Sequence, residues 1–285
     1  MTVEVAASGG LVLARDVVRA AGDEAVSFLQ GQLSQDVEAL EVGGSAFSLL
    51  LQPQGKVDAF LRVTRVADDE LVLDTDAGWG RAVVARLERF KLRVRCELAL
   101  LDDWRVVALR GVDCEGLDPG PDVWAVPPET PGVEGCDLLG PGVAVPDGIA
   151  TIAPGTYEAL RIARGVARMG PELGESTIPA AAGLVERSVS FTKGCYTGQE
   201  LVARIDSRGG NTPVRLRRVV VEGLLPMAGA TLEVDGEEVG TLTSVAPVEG
   251  GAVALAYVRR GVEVPGPAAL RWGDGVTPAT VEPLP

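Results

Sequence analysis

The sequence predicts an α+β fold with an antiparallel sheet, followed by a small all-β domain. Up to about residue 101, segments with strand and helix periodicity alternate in the order β-α-β-β-β-α-β, which is close to a ferredoxin-like pattern. From residue 214 onward, strand-like segments follow one another with Gly and Pro in each gap, as in a small β-barrel. The run RGGNTP at residues 208–213 is the clearest boundary between the two patterns.

In the first part, the period of the apolar residues sets the elements. A strand is predicted at residues 10–14, and Asp23 is the expected N-cap of a helix whose apolar residues recur at helical spacing up to Leu33. Residues 79–90 are predicted to form an amphipathic helix with Phe90 turned inward. The other strands predicted here are residues 47–51, 56–66, 70–74 and 92–100.

The rest of the chain divides into a loop-rich middle and the predicted barrel. The middle contains predicted strands at 105–109, 122–126 and 138–139, and a predicted helix at 157–166. The predicted barrel strands are 214–222, 230–234, 237–245, 252–259 and 273–282. The length of 285 residues suggests two domains, or one large domain with an appendage. We place them at 1–211, with lobes at about 1–101 and 102–211, and at 212–285.

Charge and hydropathy set expectations for partners and compartment. The formal net charge is −14, which disfavours a general nucleic-acid-binding surface, so no direct nucleic-acid partner is expected. Residues 1–16 lack a basic flank followed by an apolar core, and no uninterrupted apolar run approaches about 20 residues. We therefore expect a cytoplasmic protein without a membrane partner.

The chain contains no histidine. This excludes Ser-His-Asp and Cys-His nucleophile systems as well as histidine metal sites. Any acid–base chemistry would use carboxylates, lysine, thiols or tyrosines. A hydrolase of the usual nucleophile–histidine type is therefore not expected.

Four cysteines are present, at positions 96, 114, 136 and 195. None forms a C-x-x-C pair, so a locally built metal or iron–sulfur site is not expected. So few cysteines in a chain of this length do not indicate a disulfide scaffold, and a reducing compartment fits. Cys96 is predicted to pack in the core. Cys114 and Cys136 are placed in loops, and the sequence gives them no partner.

The segment KGCYTGQE, residues 193–200, concentrates more chemistry than any other stretch. Thr197 and Glu200 have the spacing of a capping box, which predicts a short helix over about residues 198–206. Cys195 would lie just before the helix N-terminus beside Lys193, and both features favour a thiolate. The alternative interpretation is a capped turn with a structural cysteine.

Several stretches resemble the YgfZ-type folate-binding proteins, which are relatives of the glycine-cleavage T-protein (aminomethyltransferase). The KGCYTGQE segment is similar to the signature of that group, and FLQGQLSQDV at 28–37 is similar to its N-terminal motif. PQGKV at 53–57 is similar to the turn that follows, and TIP at 177–179 lies at the expected distance before the signature. The resemblance covers about residues 10–210, and the predicted barrel fits the same family.

The resemblance implies a T-protein-like fold, with ferredoxin-like lobes around a central channel that binds tetrahydrofolate or a one-carbon derivative. It implies a role in assembling or repairing iron–sulfur clusters, with assembly factors or client enzymes as partners, and through them in tRNA modification. Cys195 and Lys193 would be the catalytic pair, with Cys195 as the reactive thiol. The expected folate-binding residues are Tyr196, Gln199, Glu200, Gln30, Gln32, Asp36 and Arg161. Without the resemblance, the glutamines and Asp36 fit a solvated helix face equally well.

The chain also departs from the T-protein pattern. Where the T-protein carries paired aspartates after the Gln-Gly turn, this sequence has Ala59 and Phe60, with Asp58 one residue earlier. A shift of one residue along a strand turns the side chain to the other face. Ala181 stands where the family often has a glutamate. The Ala59 and Phe60 departure argues against the first alternative function, a folate-dependent aminomethyltransferase or demethylase. A non-catalytic folate-binding or partner-binding module is a second alternative.

Overall fold

The computed structural model describes residues 5–273 and 275–285. Its helices are α1 (Ala25–Gln32), α2 (Gly80–Glu88), α3 (Pro154–Ala163), α4 (Val185–Ser188) and α5 (Gln199–Asp206). Its strands before the barrel are β1 (Gly9–Leu13), β2 (Arg15–Ala21), β3 (Ser45–Leu51), β4 (Val57–Ala67), β5 (Glu70–Asp76), β6 (Glu97–Leu101), β7 (Trp104–Arg110), β8 (Trp124–Val126) and β9 (Gly135–Pro141). The barrel strands are β10 (Val214–Glu222), β11 (Thr231–Val234), β12 (Glu237–Val248), β13 (Gly251–Arg259), β14 (Gly266–Trp272) and β15 (Gly275–Glu282).

The first lobe is a five-stranded antiparallel sheet in the order β3-β4-β5-β2-β6. Sequence reasoning missed one of its inner strands, β2. Only Ala14 separates β2 from β1, so no turn signal marks the point where the chain leaves one sheet and enters the other. The strand predicted at residues 10–14 is β1, and it pairs with β7 of the second sheet.

The two helices of the first lobe differ from the prediction at their ends. The N-cap of α1 is Glu24, not Asp23, and no side chain caps the helix. Helix α2 ends at Glu88, so Phe90 lies beyond it and is 41% exposed. The Phe90 ring instead lies 3.8 Å from the Arg86 guanidinium. Leu92 is 83% exposed, and the strand predicted to begin there starts at Glu97.

The second lobe is a four-stranded sheet in the order β1-β7-β9-β8. Cys136 lies on β9, not in a loop, and it forms a disulfide with Cys114. The expectation that these cysteines lack a partner was therefore wrong, because the fold returns β9 to β7, the strand that precedes Cys114. Disulfides persist mainly in oxidising compartments, so this pair does not support the argument from cysteine content to a reducing compartment. Cys96 is buried in the first lobe, as predicted.

Strands β10 to β15 close into a six-stranded barrel in the order β10-β13-β12-β11-β14-β15. The region predicted as one final strand contains β15, and β14 before it was missed. The predicted α+β fold with a C-terminal β-barrel is confirmed. The exact domain boundaries stay predictions.

One apolar cluster joins the barrel to the first sheet and to α3. It contains Phe47 and Phe60 from the first sheet, Ile162 from α3, and Val253 and Leu255 from the outer face of the barrel. Burial of a large apolar side chain contributes roughly 1.5–3 kcal/mol. This shared core fixes the barrel against the lobes and holds the chain around the KGCYTGQE segment in place.

Candidate functional site

The KGCYTGQE segment leads directly into α5. The helix begins at Gln199, close to the predicted start, but its N-cap is Gly198 in a left-handed conformation, with φ of 85° and no side-chain cap. The predicted Thr197–Glu200 capping box is therefore wrong. Because Gly198 occupies the cap, Thr197 lies one residue too early, and its backbone N–H donates to the Gly31 carbonyl at 3.3 Å.

Two short motifs that are far apart in sequence pack backbone against backbone at this point. A Cβ on Gly198 would lie 2.5 Å from the carbonyl oxygen of Gln52 and 2.9 Å from Leu51 Cβ. A Cβ on Gly55, in the PQG turn, would lie 2.7 Å from Leu201 Cβ and 2.9 Å from the carbonyl oxygen of Gly198. Only glycine permits this approach at both positions. The PQG turn therefore fixes the start of α5.

Lys193 ties the segment to the end of α1. Its ammonium donates to the carbonyl oxygens of Gln30 at 2.6 Å, Leu33 at 2.7 Å and Gln35 at 2.9 Å. Burial lowers the pKa of Lys193 to about 8, against the opposing charges of Asp36 and Glu38. All three N–H bonds are used within the protein, so the geometry makes Lys193 a positioning residue and does not direct it at a thiolate.

Cys195 is the exposed residue that this scaffold presents. The amide Nε2 of Gln199 lies 3.8 Å from its Sγ, and Gln199 Oε1 accepts the backbone N–H of Tyr196 at 3.0 Å. Gln199 thus stabilises the turn through the Tyr196 backbone and also contacts the thiol of Cys195. Glu200 is exposed. The backbone on both sides of the thiol is held, and its sulfur faces solvent.

Tyr196 anchors the segment in the central apolar cluster and is 9% exposed. Its ring lies 5.2 Å from the Lys193 ammonium, and burial raises the pKa of its phenol to about 12. The neighbouring residues Tyr196 and Cys195 therefore face opposite environments. Because Tyr196 is buried in the apolar cluster, the neighbouring Cys195 side chain lies at the surface.

Side chains of the N-terminal motif, residues 28–37, stabilise the loop whose carbonyl groups bind the Lys193 ammonium. Gln30 Nε2 donates to Asp36 Oδ1 at 2.9 Å, and Gln30 Oε1 accepts the backbone N–H of Val37 at 2.9 Å. These side chains hold the turn after α1 and are not a solvated helix face. Gln32 differs, because its Oε1 is buried without a hydrogen-bond partner among the described residues. An unpaired buried acceptor of this kind is costly unless a ligand or solvent donor satisfies it.

Arg161 is enclosed by protein. Its guanidinium forms an ion pair with Glu158, lies 3.3 Å from Glu172 and donates to the carbonyl of Val166 at 2.7 Å. Glu172 also accepts from Ser244 Oγ of the barrel at 2.6 Å. The contacts of Arg161 thus join α3 to the barrel, and the folate contact expected of it stays a prediction.

A buried ionic network, which sequence reasoning missed, lies between the two sheets. Asp74 pairs with Arg15 at 2.7 Å and with Arg62 at 2.8 Å. Arg62 also pairs with Asp137 of β9 at 2.7 Å, so the network crosses from one sheet to the other. The available signal was a charged residue at an inward position of an otherwise apolar strand, since such residues are almost never buried without a partner.

Glu129 extends this network toward α3. Burial alone would raise its pKa, but Arg15, Arg168 and the hydroxyl of Tyr157 outweigh burial and lower the pKa to about 2. Tyr157 donates to Glu129 at 2.8 Å and accepts from Arg110 at 3.0 Å. Glu129 is therefore a stable anion although it is buried.

Arg187 is a further residue that the sequence did not single out. Its guanidinium lies 4.1 Å from the centre of the Phe47 ring and 5.5 Å from that of Phe60, which stack on each other. One N–H donates to the backbone carbonyl of Glu129 at 3.1 Å, and the others have no partner among the described residues. Burial lowers the pKa of Arg187. These free donors make it a candidate for binding an anion.

The departures from the T-protein pattern have structural counterparts. Ala59 and Phe60 are buried apolar residues. Asp58 lies at a β-bulge opposite Leu50 and Leu51, and its carboxylate pairs with Arg86 at 2.8 Å. The carboxylate of Asp58 is thus held against α2, on the side of the sheet away from Phe60.

Metal ligands and membrane spans are both missing from the part of the chain that the structure describes. Residues 5–273 and 275–285 contain no group of three or more Cys, Asp or Glu side chains placed to hold a metal ion. Within the same residues, each helix lacks the length and apolarity needed to cross a bilayer.

Several known proteins are similar to this chain in sequence or in structure. No family model matches the chain. It is 26% identical over 243 residues to an uncharacterized protein of Haemophilus influenzae, covering 82% of each. It is 30% identical over 207 residues to a mitochondrial "Iron-sulfur cluster assembly factor IBA57 homolog" of Pyricularia oryzae, covering 68% of this chain and 53% of that protein. The chain thus spans about half the length of this relative.

Two aminomethyltransferases are also similar. The chain is 27% identical over 299 residues to the enzyme of Thermus thermophilus, covering 93% of this chain and 82% of the enzyme. The crystal structure of the glycine cleavage system aminomethyltransferase T of Bartonella henselae superposes with a TM-score of 0.83. That match covers 98% of this chain and 86% of the other at 21% identity, and it establishes the fold alone.

The two lobes, the closed barrel and the KGCYTGQE segment packed between α1 and the PQG turn define a protein of the T-protein-like class. The T-protein-like fold predicted from the sequence is confirmed. Within this class, the chain is similar in sequence to the IBA57 homologues, about half of whose length it covers, and to the aminomethyltransferases, which is consistent with the YgfZ-type family that its motifs resemble.

Tetrahydrofolate is the cofactor that the motif resemblance implies, and two polar groups of the structure each have chemistry suited to one part of it. Folates carry N–H donors on the pterin ring and carboxylates on the glutamate tail. The unpaired Oε1 of Gln32 suits an N–H donor, and the free donors of Arg187 suit a carboxylate. Gln30, Asp36 and Arg161 already use polar groups within the protein.

Proposed function

We propose that this protein is a tetrahydrofolate-binding accessory factor of iron–sulfur cluster assembly or repair, with Cys195 as its reactive thiol. The observation that carries the proposal is the presentation of Cys195. Lys193 and Gly198 fix the backbone on either side of an exposed sulfur. Similarity to the IBA57 homologues supports the cluster-related role, and similarity to aminomethyltransferases supports the use of folate.

The chemistry assigned to the chain's own residues is limited. Cys195 loses its proton to solvent, and the thiolate makes a transient contact with an iron of a cluster in transit or with a partner protein. Lys193 and Gln199 position the thiol. Gln32 and Arg187 would hold the folate, which carries one-carbon units when bound. Acting in the cytoplasm through cluster-containing client enzymes, the protein would support tRNA modification indirectly.

An aminomethyltransferase is the second candidate, because the similarity to the Thermus thermophilus enzyme extends over 93% of the chain. The pairing of Asp58 with Arg86 and the burial of Phe60 argue against it, since they leave no free carboxylate on this part of β4. Formation of methylenetetrahydrofolate from an aminomethylated lipoyl carrier protein would favour this candidate over the first.

Cys195→Ser is expected to abolish the cluster-related function without changing stability. The thiol is exposed and has only the 3.8 Å contact to Gln199, so its loss changes the free energy of unfolding by less than about 0.5 kcal/mol. The activity of a cluster-containing client enzyme is measured in a strain that lacks the native protein. Thr192→Ala, an exposed change three residues away, is the control and retains function. Full rescue by Cys195→Ser would remove the thiol from the mechanism.

Arg187→Gln is expected to weaken tetrahydrofolate binding by about tenfold or more, because a hydrogen bond to a charged group contributes roughly 1.5–3 kcal/mol. The dissociation constant is measured by isothermal titration calorimetry. Arg81→Gln on the exposed face of α2 is the control and keeps the wild-type affinity. If the wild-type protein fails to bind tetrahydrofolate at millimolar concentration, both folate-based candidates fall.

A further inference from the structure

An arginine cluster surrounds one open end of the barrel. Arg215 and Arg217 lie near the start of β10, and Arg259 and Arg260 follow one another at the end of β13. The four line a cavity of about 250 Å³ together with Val258, Gly261 and Val262. In a chain with a net charge of −14, this concentration of positive charge requires an explanation.

Two of these arginines are on the inner face of the barrel. Arg217 is opposite Ala256, and the next inward position, Val219, is opposite Ala254. Val219, Ala254 and Ala256 belong to the barrel core, whereas the alternate residue Leu216 packs outside it. Because side chains alternate along a strand, Arg217 and Arg215 point the same way as that core. Each is only partly exposed.

The positive charges of these four arginines are not paired with carboxylates among the described residues. Among the described residues, no carboxylate lies within ion-pair distance of Arg215, Arg217, Arg259 or Arg260, and the guanidinium of Arg217 makes no hydrogen bond. Arg215 has only the neutral carbonyl of Gly210, at 3.0 Å. Asp235 and Glu263 line a larger, adjoining cavity of about 760 Å³ that shares Arg259 and Arg260 with this one. Glu186 and Asp206 line another neighbouring cavity together with Arg215. Among the described residues, none of these four carboxylates forms an ion pair with the cluster.

Retaining these charges is unfavourable for the protein alone. Burial, and then the charge of Arg215, lower the pKa of Arg217. By contrast, Arg218 on the outer face of the same strand pairs with Glu282 at 2.6 Å. The chain thus neutralises an outward arginine and leaves the adjacent inward one without a partner among the described residues. Uncompensated charge of this kind is typical of binding sites, where a ligand supplies the counter-charge.

We propose that the Arg215/Arg217/Arg259/Arg260 end of the barrel is a binding site for a small, multiply charged oxyanion. Guanidinium groups match phosphate and carboxylate oxygens through paired N–H donors. The cavity is sized for a compact molecule, and the net negative charge of the remaining surface disfavours a long nucleic acid. The site is separate from the KGCYTGQE segment and does not depend on folate.

The test uses pyrophosphate and tricarballylate as probes for phosphate and carboxylate ligands. Each is titrated into the full-length protein at constant ionic strength set with sodium chloride, and Tm and Kd are measured. At least one probe is expected to raise Tm in a saturable manner. The double variant Arg215→Gln/Arg217→Gln is expected to bind that probe at least about tenfold more weakly. The probe with the lower Kd identifies the class of oxyanion.

Two further measurements separate a site from non-specific charge effects. Arg217→Gln alone is expected to raise Tm without any anion, because it relieves the repulsion from Arg215. Arg81→Gln removes one positive charge from α2 and is expected to leave the Kd of the probe unchanged. The proposal is overturned if neither probe shifts Tm at about 10 mM beyond the chloride control, or if the double variant binds as tightly as wild type.

Discussion

Replacing Asp74 with asparagine is expected to lower the free energy of unfolding by about 3–5 kcal/mol. Asp74 is fully buried, and its carboxylate pairs with Arg15 through Oδ1 at 2.7 Å and with Arg62 through Oδ2 at 2.8 Å, while a second Arg62 N–H donates to Oδ1 at 3.3 Å. The amide retains the shape but removes the negative charge, which leaves two buried guanidinium groups facing a neutral group. Breaking a buried ion pair on one side is much more costly than replacing the whole pair, because the remaining charge stays desolvated.

The expected loss is a large fraction of the stability of a typical domain, which is about 5–15 kcal/mol. It is measured by urea denaturation followed by circular dichroism. Glu70→Gln is a matched control on the same strand pair, since Glu70 on β5 pairs with Arg19 on β2 at 2.6 Å with both side chains partly exposed. Solvent screening limits that change to less than about 1 kcal/mol. Equal effects of the two substitutions would contradict the view that the buried network stabilises the interface between the sheets.

The sequence was informative about the fold where one element follows another with clear punctuation. Alternating apolar residues after the RGGNTP run predicted β10, and the predicted bounds agree with the structure. Strand β2 was missed, because the strand change at Ala14 has no glycine or proline to mark it. The pairing of Cys114 with Cys136 was also missed, since their proximity depends on the pairing of β9 with β7. Local periodicity predicts where strands occur, but it does not predict which distant strands pair.

For the site as well, the sequence predicted the local structure but not the features that depend on tertiary contacts. Local spacing correctly predicted a helix after the KGCYTGQE segment, yet it misassigned the cap, because the conformation of Gly198 is set by contact with the PQG turn. Lys193 is close to the thiol in sequence, but tertiary contacts direct its ammonium to the carbonyls after α1. The sequence did not indicate a role for Arg187, because the stacked rings of Phe47 and Phe60 that surround it come from two different strands.

Gly198→Ala is expected to lower the free energy of unfolding by about 3 kcal/mol or more and to disorder the start of α5. A left-handed conformation costs a residue with a Cβ roughly 1–2 kcal/mol. The new methyl group would also lie 2.5 Å from the Gln52 carbonyl oxygen, and overpacking of this kind typically costs another 1–3 kcal/mol. The nearest atoms are backbone or Cβ atoms, so no side-chain rotation relieves the contact.

Gly194→Ala, within the same segment, separates this effect from a general intolerance to alanine. Apart from Gly194 and its two chain neighbours, no atom of the described residues lies within 4 Å of the position that a Cβ on Gly194 would occupy, and Gly194 does not share the left-handed conformation of Gly198. Its replacement is expected to change stability by less than about 1 kcal/mol, with a small gain from the restricted unfolded chain. Stability is measured by thermal denaturation, and the reactivity of Cys195 toward a thiol reagent reports the local structure. If Gly198→Ala were as stable as Gly194→Ala, the contact with the PQG turn would not position Cys195.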